Sequence, residues 1–184
     1  MYGAGVDAQS VQGLFLFDMF TEKDLETIIY NNLDECHKRG LDFYWGEPLY
    51  FRRQVKIGNY GVADLIHAIK DCNEFGQPIV RITVIEIKKD IVKEDGFWQL
   101  VRYMRGVERY LEERDVSFKF QIDGILLGKG FESKPGLCFA NSVCENIDYY
   151  TYIYDADGIR FEYRFPYYLD EEGFNLKGKE FKNG

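Results

Sequence analysis

Apolar residues recur at helical spacing after Thr21. They form one stripe, made of Leu25, Ile28, Ile29, Leu33 and Cys36. The preceding stretch TEKD is a variant capping box, in which a threonine and an acid three residues later bond each other's backbone N–H groups. Gly40 follows two basic residues, which is typical of a helix end. The pattern therefore predicts one helix from Thr21 to Gly40.

Three β-prone stretches follow, at residues 49–57, 62–70 and 79–88. GNYG separates the first two, and NEFGQP separates the second from the third. Glycine, asparagine and proline are the residues that turns require, so we expect both connections to be short turns. The second and third stretches should then form a hairpin.

The rest of the chain alternates between helix and strand. Residues 97–114 predict an amphipathic helix, with an apolar face of Phe97, Leu100, Val101, Met104, Val107 and Leu111. Residues 120–128 are almost entirely apolar, as in a strand buried on both faces. Residues 137–147 predict a short helix. The last two strands should form a hairpin around the turn sequence at 156–158.

This order of elements predicts an α/β fold with a mixed central sheet flanked by helices. We expect one domain over residues 20–165, preceded by an extension at 1–19 and followed by a tail at 166–184.

Net charge, hydropathy and cysteine spacing exclude several classes of protein. The chain has 184 residues, and its formal net charge of −8 excludes a histone-like or polybasic membrane protein. It contains no uncharged apolar run long enough to span a membrane and no basic leader at its start, so we expect a cytoplasmic protein. The four cysteines are scattered without CxxC spacing, which favours reduced thiols over a zinc site.

The clearest candidate chemistry lies at the end of the third strand. Because side chains alternate along a strand, Glu86 and Lys88 share one face while Ile87 points to the other. In a hairpin around NEFGQP, the numbers of paired positions sum to about 150, which places Asp64 opposite Glu86. Two opposed carboxylates repel each other unless a divalent cation lies between them.

The two long helices offer further polar groups. On a helical wheel Glu22 falls inside the apolar arc of the first helix and Glu26 at its edge, so Glu22 is the first candidate for a third acid. On the second helix, Gln99, Arg102 and Tyr103 lie beside the apolar stripe. Arg102, Arg105 and Arg109 form a basic row that could meet a phosphate backbone.

These residues together resemble the PD-(D/E)xK nuclease superfamily. The matching motifs are the acid in the first helix, GVAD ending at Asp64, EIK at 86–88, and QLVRY from Gln99 to Tyr103. TEKDLETII is similar to the first helix of Holliday-junction resolvases and of the C-terminal domains of NucS-type endonucleases, and VIEIKK followed by QLVRYM resembles the NucS-type domains especially. The likeness covers about residues 20–128, and Ala63 replaces the proline of the motif's name.

The resemblance implies a restriction-endonuclease-like αβββαβ core and metal-dependent hydrolysis of DNA. Asp64, Glu86 and the Ile87 carbonyl would hold Mg²⁺ or Mn²⁺, with Glu22, or less strongly Glu26, as a further acid. Lys88 would position or deprotonate the attacking water. Gln99, Arg102 and Tyr103 would orient Lys88 or contact a phosphate. A lone core cuts one strand per site, so double-strand cleavage would call for a homodimer.

Each of these residues also has a plain structural explanation. Glu86 and Lys88 could form an exposed ion pair, Tyr103 could be ordinary core, and Glu26 could be a solvated helix acid. Arg105 and Arg109 could pair with neighbouring glutamates on a solvated face. The alternative function is a catalytically inactive nuclease-fold module that binds a protein or a nucleic acid. The acidic net charge favours that alternative, whereas the intact Asp64, Glu86 and Lys88 favour an enzyme.

Overall fold

A computed structural model describes residues 21–43, 48–132, 144, 146–155 and 157–164. The helices are α1 (Glu22–Asn31), α2 (Leu33–Lys38) and α3 (Glu94–Glu112). The strands are β1 (Pro48–Ile57), β2 (Gly61–Cys72), β3 (Pro78–Ile87), β4 (Ile91–Val92), β5 (Phe120–Gly128), β6 (Gly130–Phe131), β7 (Ile147–Asp155) and β8 (Gly158–Arg164). The predicted extension at 1–19 and tail at 166–184 lie outside the described residues.

The core of the fold is a six-stranded mixed sheet in the order β1-β2-β3-β5-β7-β8. β1, β2 and β3 are antiparallel neighbours, β5 and β7 lie parallel to β3, and β8 returns antiparallel to β7. This arrangement confirms the predicted fold class, a mixed sheet flanked by helices. A second, two-stranded sheet of β4 and β6 was not predicted from the sequence.

The first helix is not continuous, contrary to the prediction. α1 ends at Asn31, and Asn32 leaves the helical conformation with φ −134° and ψ 39°. The Asn32 side chain donates to the Ile28 carbonyl at 2.9 Å, and its own carbonyl accepts from the Cys36 N–H at 2.9 Å. Asn32 therefore ends one helix and begins the next, and its backbone N–H bonds the same Ile28 carbonyl at 3.0 Å.

Helices cover both faces of the sheet. α3 buries Phe97, Leu100 and Val107 against one face, in a cluster with Val84 and Leu126. On the opposite face α1 and α2 form a second cluster, whose buried members include Leu25, Ile29, Cys36, Leu65, Ile85 and Ile125. Burying one large apolar side chain contributes about 1.5–3 kcal/mol, so these two clusters hold the helices in place.

The described residues include the predicted final hairpin but only part of the predicted helix at 137–147. Most of the predicted helix at 137–147 lies outside the described residues, and Ile147 itself begins β7. The final hairpin is confirmed, since β7 and β8 pair up to Asp155 and Gly158. Among the described residues, no helix is long and apolar enough to cross a membrane.

Candidate active site

The register of β2 and β3 brings Asp64 to the end of β3. The pairing runs from Cys72–Pro78 to Leu65–Ile85, so every pair sums to 150 as the sequence predicts. Where this pairing ends, the Ile87 N–H donates to Oδ2 of Asp64 at 2.8 Å. Asp64 thus binds the same end of β3 that carries Glu86.

Glu86 and Lys88 form a partly buried ion pair, in which the carboxylate is buried and the lysine side chain is 24% exposed. Glu86 is 1% exposed, and its Oε1 accepts from Nζ of Lys88 at 2.7 Å. The second carboxylate oxygen, Oε2, is buried without a hydrogen-bond partner. An unsatisfied buried carboxylate oxygen is costly, which makes Oε2 the observation that points most directly to a missing ligand.

Burial changes the protonation of this cluster. It raises the pKa of Glu86 to about 8, and the nearby charge of Asp64 adds to that shift. Burial also raises the pKa of Asp64 to about 6, against the opposing effect of the Ile87 hydrogen bond. Burial alone would lower the pKa of Lys88, but the hydrogen bond and charge of Glu86 outweigh it, so that pKa is raised. Paired carboxylates that hold protons this tightly are typical of metal or catalytic sites.

Gln99 and Tyr103 hold Lys88 from α3. Nζ of Lys88 donates to Oε1 of Gln99 at 3.3 Å, and Nε2 of Gln99 donates to the Tyr103 hydroxyl at 2.9 Å. Tyr103 is also a core residue, 4% exposed. Gly96 lies beside the lysine stem, where an added Cβ would be in ordinary van der Waals contact with Cε of Lys88 at 3.4 Å. The two motif residues thus lie in one hydrogen-bonded chain that ends at the Lys88 ammonium.

Of the two candidate acids on the first helix, Glu26 is the buried one, contrary to the helical-wheel prediction that Glu22 points more directly at the core. Glu26 is 2% exposed, whereas Glu22 is exposed and accepts from the Lys89 N–H at 3.2 Å. The physical reason is that Glu22 is the first residue of α1, so it lies at the helix end. Both acids still raise the pKa of Asp64 through their charge.

Gln54 of β1 is a site residue that sequence reasoning missed. Its Nε2 donates to Oε2 of Glu26 and, at 3.2 Å, to Oδ1 of Asp64. Nε of the neighbouring Arg53 lies 3.4 Å from Oε1 of Glu26. Gln54 has φ +51°, a left-handed conformation that nothing in the strand-like sequence LYFRRQVKI indicated.

The basic row on α3 is largely occupied by its own glutamates. Arg105 lies 2.5 Å from Glu108, and Arg109 lies 3.8 Å from both Glu112 and Glu113. These two arginines therefore lie on a solvated, ion-paired face. The third, Arg102, is exposed and stacks over the Tyr103 ring at 5.5 Å. Arg102 is thus the member of the row that lies next to the hydrogen-bonded chain of Tyr103, Gln99 and Lys88.

His67 packs among aromatic rings rather than against the carboxylates. It is 3% exposed and contacts the rings of Phe43 and Phe51 edge-on at 5.4 and 5.5 Å. A cavity of about 530 Å³ is lined by His67 and Tyr30, among others. The histidine therefore takes no part in the carboxylate cluster.

The donor set at Asp64 and Glu86 suits a hard divalent cation. Such ions prefer carboxylate, carbonyl and water oxygens, and Oε2 of Glu86 is a carboxylate oxygen without a partner. The described residues contain no group of three or more His, Cys, Asp or Glu side chains arranged to hold a metal. A cation here would therefore keep several water ligands, as Mg²⁺ commonly does.

Comparison with known proteins gives three distant structural likenesses. No protein-family model and no curated protein matches the sequence. The chain is similar to a repair endonuclease from Pyrococcus abyssi, with a TM-score of 0.42 and 19% identity over 71% of this chain and 46% of that one.

The other two likenesses are to structures of EndoMS. For an EndoMS–dsDNA complex the TM-score is 0.42 and the identity 19%, over 68% of this chain and 40% of that one. For EndoMS in its apo form the TM-score is 0.37 and the identity 16%, over 71% of this chain and 45% of that one. The chain thus spans less than half the length of each of these three proteins.

Proposed function

We propose that this protein is a metal-dependent nuclease that hydrolyses phosphodiester bonds of DNA. The observation that carries the proposal is the buried Glu86 carboxylate, which has one oxygen bonded to Lys88 and the other without a partner. Asp64 lies beside it on the adjoining strand. A carboxylate pair with a lysine on the same face is a suitable arrangement for hydrolysis of a phosphate ester.

Each residue then has a defined part in the reaction. Asp64, Glu86 and the Ile87 carbonyl would hold Mg²⁺ or Mn²⁺, with Glu26 or Glu22 as a further acid. The bound ion would supply a lowered water pKa and charge stabilisation on the phosphate. Lys88 orients the attacking water and offsets the negative charge that develops on the phosphate.

The α3 side of the site would contact the DNA backbone. Arg102 is exposed and lies over Tyr103, next to the hydrogen-bonded chain that holds Lys88. An arginine at this point can bind a phosphate oxygen with its guanidinium fork. Since the whole chain is acidic, we expect DNA contact to be confined to this locality, and the small number of phosphate contacts should give a shallow dependence of binding on salt. A homodimer would place two such sites on one duplex.

The test is a cleavage assay with a matched pair of lysine variants. Labelled duplex, single-stranded, flapped, mismatched and four-way DNA, together with RNA, are incubated in millimolar Mg²⁺ or Mn²⁺ or in EDTA. We expect metal-dependent cleavage of DNA by the wild type, loss of it in Lys88→Ala, and full activity in Lys70→Ala. Lys70 is an exposed lysine on the same strand as Asp64, far from the site. No cleavage of any substrate, with no metal binding, would favour the inactive binding module instead.

A further inference from the structure

Gln54 occupies an unusual backbone position directly opposite Asp64. β1 and β2 pair Arg53 with Leu65 and Val55 with Ala63, so Gln54 falls across from Asp64 between these two pairs. Its φ of +51° is left-handed, although the strand continues without a shift of register on either side. Among the described residues, Asp115 is the only other non-glycine with a positive φ. A side chain in this conformation is strained, and such strain persists where the surroundings require it.

The Gln54 side chain links two carboxylates that come from different elements. An amide nitrogen carries two hydrogens, so Nε2 can donate to Oε2 of Glu26 on α1 and to Oδ1 of Asp64 on β2. No described hydrogen bond joins Glu26 directly to β2. The amide is therefore the contact that fixes the helix acid relative to the strand acid.

An uncharged donor suits this position better than a cation would. Oε1 of Glu26 already lies 3.4 Å from Nε of Arg53, so a lysine or arginine here would add a second cation and would compete with a metal ion for Asp64. A neutral amide holds the two groups in place without adding positive charge. Each carboxylate oxygen has two acceptor positions, so Oδ1 of Asp64 can accept from Gln54 and still ligate a cation.

We propose that Gln54 is a positioning residue, which ties Glu26 to Asp64 and so sets the Asp64 carboxylate for a divalent cation. This inference rests on the proposed metal-dependent function. Glu26 is the helix acid that Gln54 holds, so it would act on the site through Gln54 and Asp64. The left-handed backbone is then explained, since it turns the side chain at position 54 toward both acids.

Three variants separate the amide from the backbone conformation. Gln54→Ala removes the amide and keeps the strain, whereas Gln54→Gly removes the amide and relieves the strain. Asp115→Gly relieves the same kind of strain in the turn after α3, away from the site. Titration calorimetry with MnCl₂ measures the affinity of each variant, and circular-dichroism melting shows that each one is folded.

We expect Gln54→Ala and Gln54→Gly to lose about 10- to 100-fold in Mn²⁺ affinity, the range seen when a residue that orients metal ligands is removed. Asp115→Gly should bind like the wild type. If Gln54→Gly binds Mn²⁺ as tightly as the wild type, the amide has no positioning role and the inference is wrong. If the wild type itself binds no Mn²⁺, both the proposed function and the role of Gln54 are wrong. The two failures are therefore distinguishable.

Discussion

The Tyr103 ring occupies the space that a side chain at position 61 would fill. A Cβ added to Gly61 would lie 2.6 Å from Cε1 and 3.1 Å from the hydroxyl of Tyr103, and Gly61 has φ +124°. The glycine that opens β2 is therefore required by the tyrosine of α3. Because the Tyr103 hydroxyl accepts from Gln99, and Gln99 accepts from Lys88, this contact bears on the position of the Lys88 ammonium.

Gly61→Ala should therefore damage both stability and activity. We expect the free energy of unfolding to fall by about 1–3 kcal/mol, since the new methyl group displaces a buried ring. Cleavage should fall as well, because Tyr103 moves away from Gln99. Gly58→Ala is the matched control: Gly58 is also left-handed, with φ +47°, but an added Cβ meets nothing within 4 Å. Urea unfolding and the cleavage assay compare the two, and equal losses would mean that strain alone matters at Gly61.

Tyr103→Phe tests the hydrogen-bonded chain without disturbing the packing. The ring stays in place, so we expect a loss of about 1 kcal/mol in stability, the usual contribution of one hydrogen bond. The turnover number should fall on the order of tenfold, because Gln99 loses a partner that fixes its position under Lys88. Tyr110→Phe, on the same helix but 53% exposed, should change neither quantity. An unchanged turnover number in Tyr103→Phe would show that the tyrosine serves only the core.

Glu26→Gln and Glu22→Gln compare the two candidate acids. Glu26 is buried and held by Gln54, whereas Glu22 is exposed. We expect Glu26→Gln to lower metal-dependent cleavage and Mn²⁺ affinity on the order of 10- to 100-fold, and Glu22→Gln to lower them by about threefold or less. Calorimetry and the cleavage assay supply both readouts. A larger effect of Glu22→Gln would restore the choice that the helical wheel favoured.

The sequence pattern was sufficient to predict the part of the site that lies on the β2–β3 hairpin. Asp64 and Glu86 lie on neighbouring strands joined by the short turn at 73–77, so the turn fixes their register and the numbering alone predicts their approach. Gln99 and Tyr103 were predicted as residues that orient Lys88 or contact a phosphate through family resemblance; in the structure Gln99 accepts from Lys88, and Tyr103 accepts in turn from Gln99.

The other features of the site and of the first helix could not be predicted from local sequence. The burial of Glu26 depends on where α1 meets β1, and a helical wheel contains no information on the position of a helix end. The break at Asn32 is a change of backbone conformation, to φ −134° and ψ 39°, which the helical repeat of apolar residues does not encode. The left-handed Gln54 was unpredictable because its sequence is that of an ordinary strand, and the two acids that its side chain contacts lie on other elements of the fold.

The stability of the metal-free protein should fall as pH rises from about 4 to about 8. The pKa of Glu86 is raised to about 8 and that of Asp64 to about 6, chiefly by burial, from ordinary values near 4. Within this range the folded state keeps protons that the unfolded state releases, so raising the pH favours unfolding. Burial lowers the pKa of His67, which gives the opposite slope, and the raised pKa of Lys88 lies above the range.

Glu86→Gln isolates the contribution of Glu86 from that of His67, which both proteins share. We expect the difference in free energy of unfolding between Glu86→Gln and the wild type to change in favour of the variant between pH 5 and pH 8. The change should be at least about 1.4 kcal/mol, which corresponds to a pKa shift of one unit. Glu74→Gln, which changes an exposed glutamate in the turn between β2 and β3, should show no such increase. Urea unfolding in EDTA across this pH range measures all three proteins. A pH-independent difference between Glu86→Gln and the wild type would mean that Glu86 is already ionised in the metal-free protein.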